Sequence, residues 1–221
     1  YGAKCSPRFS MKAGRVMMDY DLKKLDKLAK KTLSAKRYFH TQCVVRQAQK
    51  LARLYGCDEQ KAMAAGWMHD ICKEMPRDEQ LHWLEKYGII LDSVQRTQPK
   101  TWHGMAACGY IRETLGIDDP EILHAIRYHT TACGAMTALD EVVYLADLTS
   151  EDRDYKDILP MRALAETALR PAMKEAMRFA LRDLVERSLG ISRDTFEAYN
   201  AYITDQQADL KRPSGGETDD I

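Results

Sequence analysis

The chain has 221 residues, 45% of them hydrophobic, which is enough for one compact core. Lys plus Arg and Asp plus Glu number 33 each, so the formal net charge is zero and no global basic field exists to gather nucleic acid. No stretch approaches the ~20 apolar residues of a membrane span, and six cysteines without a CxxC spacing read as reduced thiols of a cytoplasmic protein rather than a disulfide framework.

The predicted elements are all helical. Residues 1–20 mix charge and glycine and are read as a leading segment outside the core. From Leu22 to Tyr55 apolar positions recur at helical spacing, with His40, Val44, Ala48, Leu51 and Tyr55 on one stripe. Gly56 stops that helix, and Asp58 caps a second that runs through Ala62, Ala65, Gly66 and His69 until Pro76. A short amphipathic helix from Asp78 to Tyr87 follows, then an irregular link, Ile89 to Lys100. The next helix, about Thr101 to Leu115, puts His103, Ala107, Tyr110 and Ile111 together. Asp119-Pro120-Glu121 is a strong start signal for a helix burying Ile122, Ala125, Ile126 and His129. Thr130 to Met136 is a loop, and Thr137 to Asp140 resembles a capping box opening a helix in which Val143 and Asp147 share a side. Pro160 and Pro171 each sit where a helix could begin, giving Met161 to Leu169 and a long Ala172 to Leu189, whose Met and Leu side chains offer a face for a homodimer. A last helix spans Asp194 to Ile203, and residues 204–221 read as a disordered polar tail.

The chemistry lies in His40, the adjacent pair His69-Asp70, then His103, His129 and Asp147. Imidazole nitrogen suits iron, zinc, cobalt and manganese, and a carboxylate can bridge two ions. His69 and Asp70 diverge by about 100° on a regular helix, yet both reach a metal pair if the helix end looks into the site. One ion would take His40, His69, Asp70 and Asp147, and the other Asp70, His103 and His129. Two such ions lower the pKa of a water between them and screen phosphate charge, which points to a phosphohydrolase. Cys43 and Cys72 lie one turn after His40 and His69, so a Cys/His zinc site competes on paper, but paired thiol spacing is missing. Taken singly, an inward histidine such as His40 is more often a satisfied core residue; four histidines and two acids in one order are not. His82 and His124 share no face with the set and read as surface or structural residues.

The order His, His-Asp, His, His, Asp resembles the HD-domain metal-dependent phosphohydrolases in their two-metal form. RYFHT (Arg37 to Thr41), HDICK (His69 to Lys73), WHG (Trp102 to Gly104), AIRYHTT (Ala125 to Thr131), VVYLAD (Val142 to Asp147), LAET (Leu164 to Thr167) and DTFEAYN (Asp194 to Asn200) are similar to one branch, the bacterial YqeK proteins. These are symmetrical bis(5'-nucleosyl)-tetraphosphatases, which cut diadenosine tetraphosphate into two ADP using an iron centre. The resemblance implies an all-α HD-domain bundle over 21–203, with 160–203 as a helical extension, and a dinucleotide polyphosphate as partner.

The resemblance also implies roles. The metal ligands would be His40, His69, Asp70, His103, His129 and Asp147, holding two divalent ions, iron first, with manganese, cobalt or zinc as alternatives. Asp70 and Lys73 would be the catalytic pair, with Lys73 on phosphate. Arg127, Thr130 and Thr131 would touch phosphate or ribose, with Arg37 a weaker candidate of the same kind. The chain departs from the branch twice. Ala132-Cys133 stands before Gly134 where a glycine often follows the His-Thr pair, and Leu148 to Arg153 replaces an Ile-Glu-Pro-Asn-Arg type run, with Arg153 filling the arginine's place. Lys73 as a solvated helix-end charge and Arg127 as a surface charge are the plain alternatives. An HD enzyme for another nucleotide, or a metal-holding sensor that does not cleave, are the competing functional readings.

Overall fold

The computed structural model describes residues 20–204. Within them the chain is all-α with no strand, and its elements are α1 (Leu22–Thr32), α2 (Ala35–Tyr55), α3 (Glu59–Met68), α4 (Arg77–Lys86), α5 (Ser93–Thr97), α6 (Trp102–Leu115), α7 (Pro120–Tyr128), α8 (Ala138–Thr149), α9 (Ile158–Thr167), α10 (Leu169–Glu186) and α11 (Arg193–Thr204). The expected tail at 204–221 lies outside the described residues apart from Thr204, which ends α11. The leading segment does too apart from Tyr20, whose hydroxyl donates to Asp119 at 2.7 Å.

The core forms where α2, α3, α7 and α8 pack on one another. Small residues permit the approach: Ala62, Ala64, Ala65 and Gly66 are buried on α3, and a Cβ on Gly66 would lie 3.3 Å from the Cα of Val45. α8 is buried almost all round, from Leu139 to Ala146, with its two buried carboxylates, Asp140 and Glu141, paired to His124 and Arg170. α9 and α10 pack against its outer side, and α11 packs on α10.

Four boundaries differ from the sequence expectation. The single helix expected over Leu22 to Tyr55 breaks at Leu33-Ser34, because the Ser34 hydroxyl accepts the Arg37 N–H and caps a new helix. The helix expected to run to Pro76 ends at Met68. Residues 69–75 follow in tight turns, with Ile71 N–H on Met68 O, Lys73 N–H on Asp70 O and Met75 N–H on Cys72 O, so His69-Asp70 sits at a helix end. The link from Ile89 to Lys100 contains α5, capped by a reciprocal Asp92–Gln95 pair, and a 3₁₀ turn at Pro99–Thr101. Finally, α9 and α10 start before the prolines rather than on them, since a proline within the first turn lacks no bond that the helix would have made there.

Candidate metal centre

The six predicted ligands meet at one point. His40 comes from the second turn of α2, His69 caps the end of α3, His103 lies in the first turn of α6, His129 caps the end of α7 and Asp147 occupies the last turn of α8. His40, His69, Asp70, His103 and His129 are each no more than 5% exposed. Their rings stand edge to face in a chain, with centroids 5.6 Å apart for His40–His69, 5.0 Å for His69–His129 and 4.9 Å for His129–His103.

Each histidine is fixed from outside by its Nδ1. That atom donates to Gly66 O at 2.7 Å in His69, to Lys100 O at 2.9 Å in His103 and to Ile126 O at 2.7 Å in His129; in His40 it donates to the Asp152 carboxylate at 2.8 Å. A carbonyl or carboxylate accepts only, so Nδ1 carries the proton and Nε2 presents a bare lone pair. All four Nε2 atoms converge on carboxylate oxygen. His40 Nε2 is 3.0 Å from Asp147 Oδ1. Asp70 divides its two oxygens, with Oδ2 3.6 Å from His69 and 4.0 Å from His40, and Oδ1 3.0 Å from His103 and 3.6 Å from His129. His103 and His129 bring their Nε2 atoms within 3.0 Å of each other.

Lone pairs facing lone pairs and carboxylates repel unless cations lie between them. The inward atoms fit that requirement: His40 Nε2, His69 Nε2 and Asp70 Oδ1 are buried without a hydrogen-bond partner. Among the described residues two triplets have ligand atoms within 4.8 Å of one another, His40, His69 and Asp147, and His69, Asp70 and His129. Neither includes a cysteine. Cys43 Sγ accepts from Arg46, and burial pushes the Cys72 thiol pKa up, so the Cys/His zinc arrangement does not form.

The protonation states divide. At His40 burial opposes the charged form, but the Asp147 and Asp152 carboxylates outweigh it and raise the pKa. Burial pushes the pKa of His69 and of His103 down to about 4, which keeps both neutral. Burial opposes ionisation of Asp70, but the imidazoles of His69, His103 and His129 around it hold its pKa well below the usual range. Asp147 is held low in the same way by His40 and Arg153.

Cations ring the centre. Arg37 donates to Asp70 Oδ2 at 2.8 Å, Arg153 pairs with Asp147, and Lys73 Nζ lies 3.2 Å from His103 Nε2 and 3.6 Å from Asp70 Oδ1. Thr130 Oγ1 is 3.0 Å from His129 Nε2. Two of the predicted substrate contacts stand apart. The Arg127 guanidinium lies over the Tyr128 ring at 5.2 Å, and Thr131 uses its hydroxyl on Ala132 O, although it lines the neighbouring cavity. Sequence reasoning missed Asp152, since an acid in an irregular turn five residues after Asp147 carries no spacing signal.

Residues 37–152 match the HD domain. The chain is 32% identical over 175 residues to a Bacillus subtilis protein named symmetrical bis(5'-nucleosyl)-tetraphosphatase, covering 79% of this chain and 94% of that one. A protein of the same name from Halalkalibacterium halodurans is 31% identical over 180 residues, covering 81% and 96%. The chain belongs to the HD-domain family. Within it, the chain falls in the symmetrical bis(5'-nucleosyl)-tetraphosphatase branch of hydrolases. A solved HD superfamily hydrolase from Clostridium acetobutylicum, described as involved in NAD metabolism, superposes with a TM-score of 0.80 at 27% identity over 85% of this chain and 99% of its own. Among the described residues no helix is long and apolar enough to cross a membrane.

Proposed function

We propose that this HD-branch hydrolase splits diadenosine tetraphosphate symmetrically into two ADP in the cytoplasm, with a pair of divalent ions, iron first among them, held by His40, His69, Asp70, His103, His129 and Asp147. The observation that carries this reading is the division of Asp70 between two histidine pairs, Oδ2 toward His40 and His69 and Oδ1 toward His103 and His129. A carboxylate so placed suits a bridge. When bound, a metal pair lowers the pKa of a water and screens phosphate charge. The residues of the chain do the rest. Arg37, Lys73 and Arg153 form a cationic rim of the kind that draws in and orients a polyphosphate. The four outer acceptors hold the imidazoles in one tautomer before substrate arrives, so no reorganisation is required at the reaction itself. ADP leaves as a phosphate of low basicity, so no dedicated general acid is demanded.

The test is product identification on protein purified without oxygen and analysed for metal. Two ADP per dinucleotide, with roughly two metals per chain, is the expected result. Release of AMP plus ATP, or tight binding with no product, would overturn the symmetrical cleavage.

A further inference from the structure

The turn that leaves α8 carries two charged side chains that reach the His40 half of the centre. Asp152 Oδ2 accepts from His40 Nδ1 at 2.8 Å. Arg153, the next residue, pairs with the Asp147 carboxylate and donates from Nε to Asp147 O at 2.9 Å. Inside the turn the Arg153 N–H bonds to Ser150 O at 3.0 Å, and the Ser150 hydroxyl donates to Asp152 Oδ1 at 2.7 Å.

Arg162, half-buried on α9 and beyond the HD match at 37–152, holds that turn from outside. It donates from Nε to Thr149 O at 3.0 Å, and from Nη2 to Ser150 O at 2.7 Å, Arg153 O at 2.8 Å and Glu151 O at 3.2 Å. It therefore gathers carbonyls from both sides of Asp152. The last carbonyls of a helix lack intrahelical donors and form the negative end of its dipole, so a cation fits there on charge alone. Charge does not account for the span. Reaching carbonyls spread along the turn takes a rigid fork with several N–H groups, which a lysine ammonium does not supply. α9 is itself fixed to the helix that bears His40, because the Tyr55 hydroxyl of α2 donates to Ala165 O at 2.7 Å and Lys50 pairs with Glu166 at 2.5 Å. The connections close a ring, from His40 along α2 to α9, through Arg162 to the turn, and through Asp152 back to His40.

We propose that Arg162 is a positioning residue of the metal centre: by fixing the backbone of residues 149–153 it sets Asp152 against His40 and so keeps His40 Nε2 turned inward. This rests on the metal centre proposed above. Arg162 is not a ligand, since a guanidinium has no acceptor to offer; it acts through Asp152.

The experiment compares the full chain with Asp152→Ala, Arg162→Ala, Arg162→Lys and the double variant Asp152→Ala with Arg162→Ala. Co2+ is titrated against a competing chelator and followed in its visible absorption bands, which report its ligands. Arg162→Ala is expected to weaken Co2+ binding by about 10- to 100-fold, as Asp152→Ala does. The double variant should be no more than about threefold weaker than Asp152→Ala alone, because the two changes remove one and the same support. Arg162→Lys keeps the charge at the end of α8 without the fork, and should lie closer to Arg162→Ala than to the wild type; it carries the test if the alanine variant does not fold. Hydrogen exchange on the metal-free proteins should speed up by about tenfold or more at the amides of residues 150–153 in both Arg162 variants, with α2 unchanged. Losses that multiply in the double variant, or wild-type affinity in Arg162→Lys, would overturn the proposal, and so would unchanged exchange in the turn. If the wild type takes up no Co2+, the metal centre itself falls, and exchange at residues 150–153 still decides whether Arg162 holds the turn.

Discussion

Asp152 Oδ2 stands 2.8 Å from His40 Nδ1, so His40 is oriented by a carboxylate whereas His69, His103 and His129 are oriented by backbone carbonyls. Ser150 in turn donates its hydroxyl to the other Asp152 oxygen at 2.7 Å. The arrangement makes the His40 half of the centre the one that a side-chain substitution can loosen without touching a ligand.

Asp152→Ala is expected to weaken metal binding at the His40 side by about 10- to 100-fold, the usual cost of losing an outer partner of a ligating imidazole. Asp152→Asn keeps an acceptor oxygen without the charge and should fall between that variant and the wild type. Metal titration against a competing chelator reads both, with the melting temperature as control for folding. Equal metal affinity in all three proteins would remove Asp152 from the centre.

Asp70→Ala is expected to do more. Asp70 faces all four histidines, and its loss leaves four lone pairs and Asp147 to share whatever cation enters. Metal content and turnover should fall together, by more than the roughly 100-fold at which outer-partner changes stop, with helix content near wild type. His69→Ala should behave alike, because His69 belongs to both triplets of ligand atoms. Elemental analysis beside circular dichroism checks this; full metal content in Asp70→Ala would contradict a bridging role.

Gly104 is the close-approach point between α6 and α7. A Cβ there would lie 2.9 Å from Ile126 O and 3.0 Å from Arg127 O. Ile126 O is the acceptor that fixes His129. Gly104→Ala should therefore cost about 1–3 kcal/mol through overpacking and also lower metal affinity by shifting His129. Chemical denaturation measures the first and metal titration the second. A variant that loses stability yet binds metal as before would show that α7 yields elsewhere.

The convergence of the six residues was legible because they are written in order along the chain and because each sits on or beside an apolar face whose helical period can be counted. His40 on the stripe with Val44, Ala48 and Leu51, and the Asp119-Pro120 start before His129, are of that kind. What was illegible arises from tertiary geometry. The Ser34 break between α1 and α2 needs only one hydroxyl to compete with a continuous apolar period, and the dihedral state of Ala132, at φ +55°, cannot be read from a residue with no preference for it. That left-handed residue falls just after the His-Thr pair, a stretch in which the resemblance leads one to expect glycine, the residue that adopts such a backbone without steric cost. Asp152 and Arg162 were missed for a related reason: one lies in an irregular turn, the other on an ordinary helix, and only the folded chain links them to the centre.

Asp119 offers a test of the scaffold that leaves the centre alone. Its Oδ1 caps α7 by accepting the Glu121 and Ile122 N–H groups, at 2.9 and 3.4 Å, while Oδ2 takes the Tyr20 hydroxyl at 2.7 Å and Lys61 Nζ at 2.8 Å. Burial opposes its ionisation, but Lys61, Tyr20 and the Glu121 N–H together hold its pKa below the usual carboxylate value. A carboxylate whose folded pKa is depressed adds stability above its unfolded pKa, near ~3.9, and loses it as pH falls through the folded value. Asp119→Asn retains a good capping oxygen and removes the charge, so it should cost about 1–3 kcal/mol near neutral pH. The gap between variant and wild type should begin to narrow as pH falls below the unfolded pKa and close once it has passed the lowered folded value, where the wild-type carboxyl takes up its proton. Urea denaturation across pH measures it, and a difference that stayed constant into acid would mean that packing around Tyr20, not the charge on Asp119, holds α1 and α3 to the start of α7.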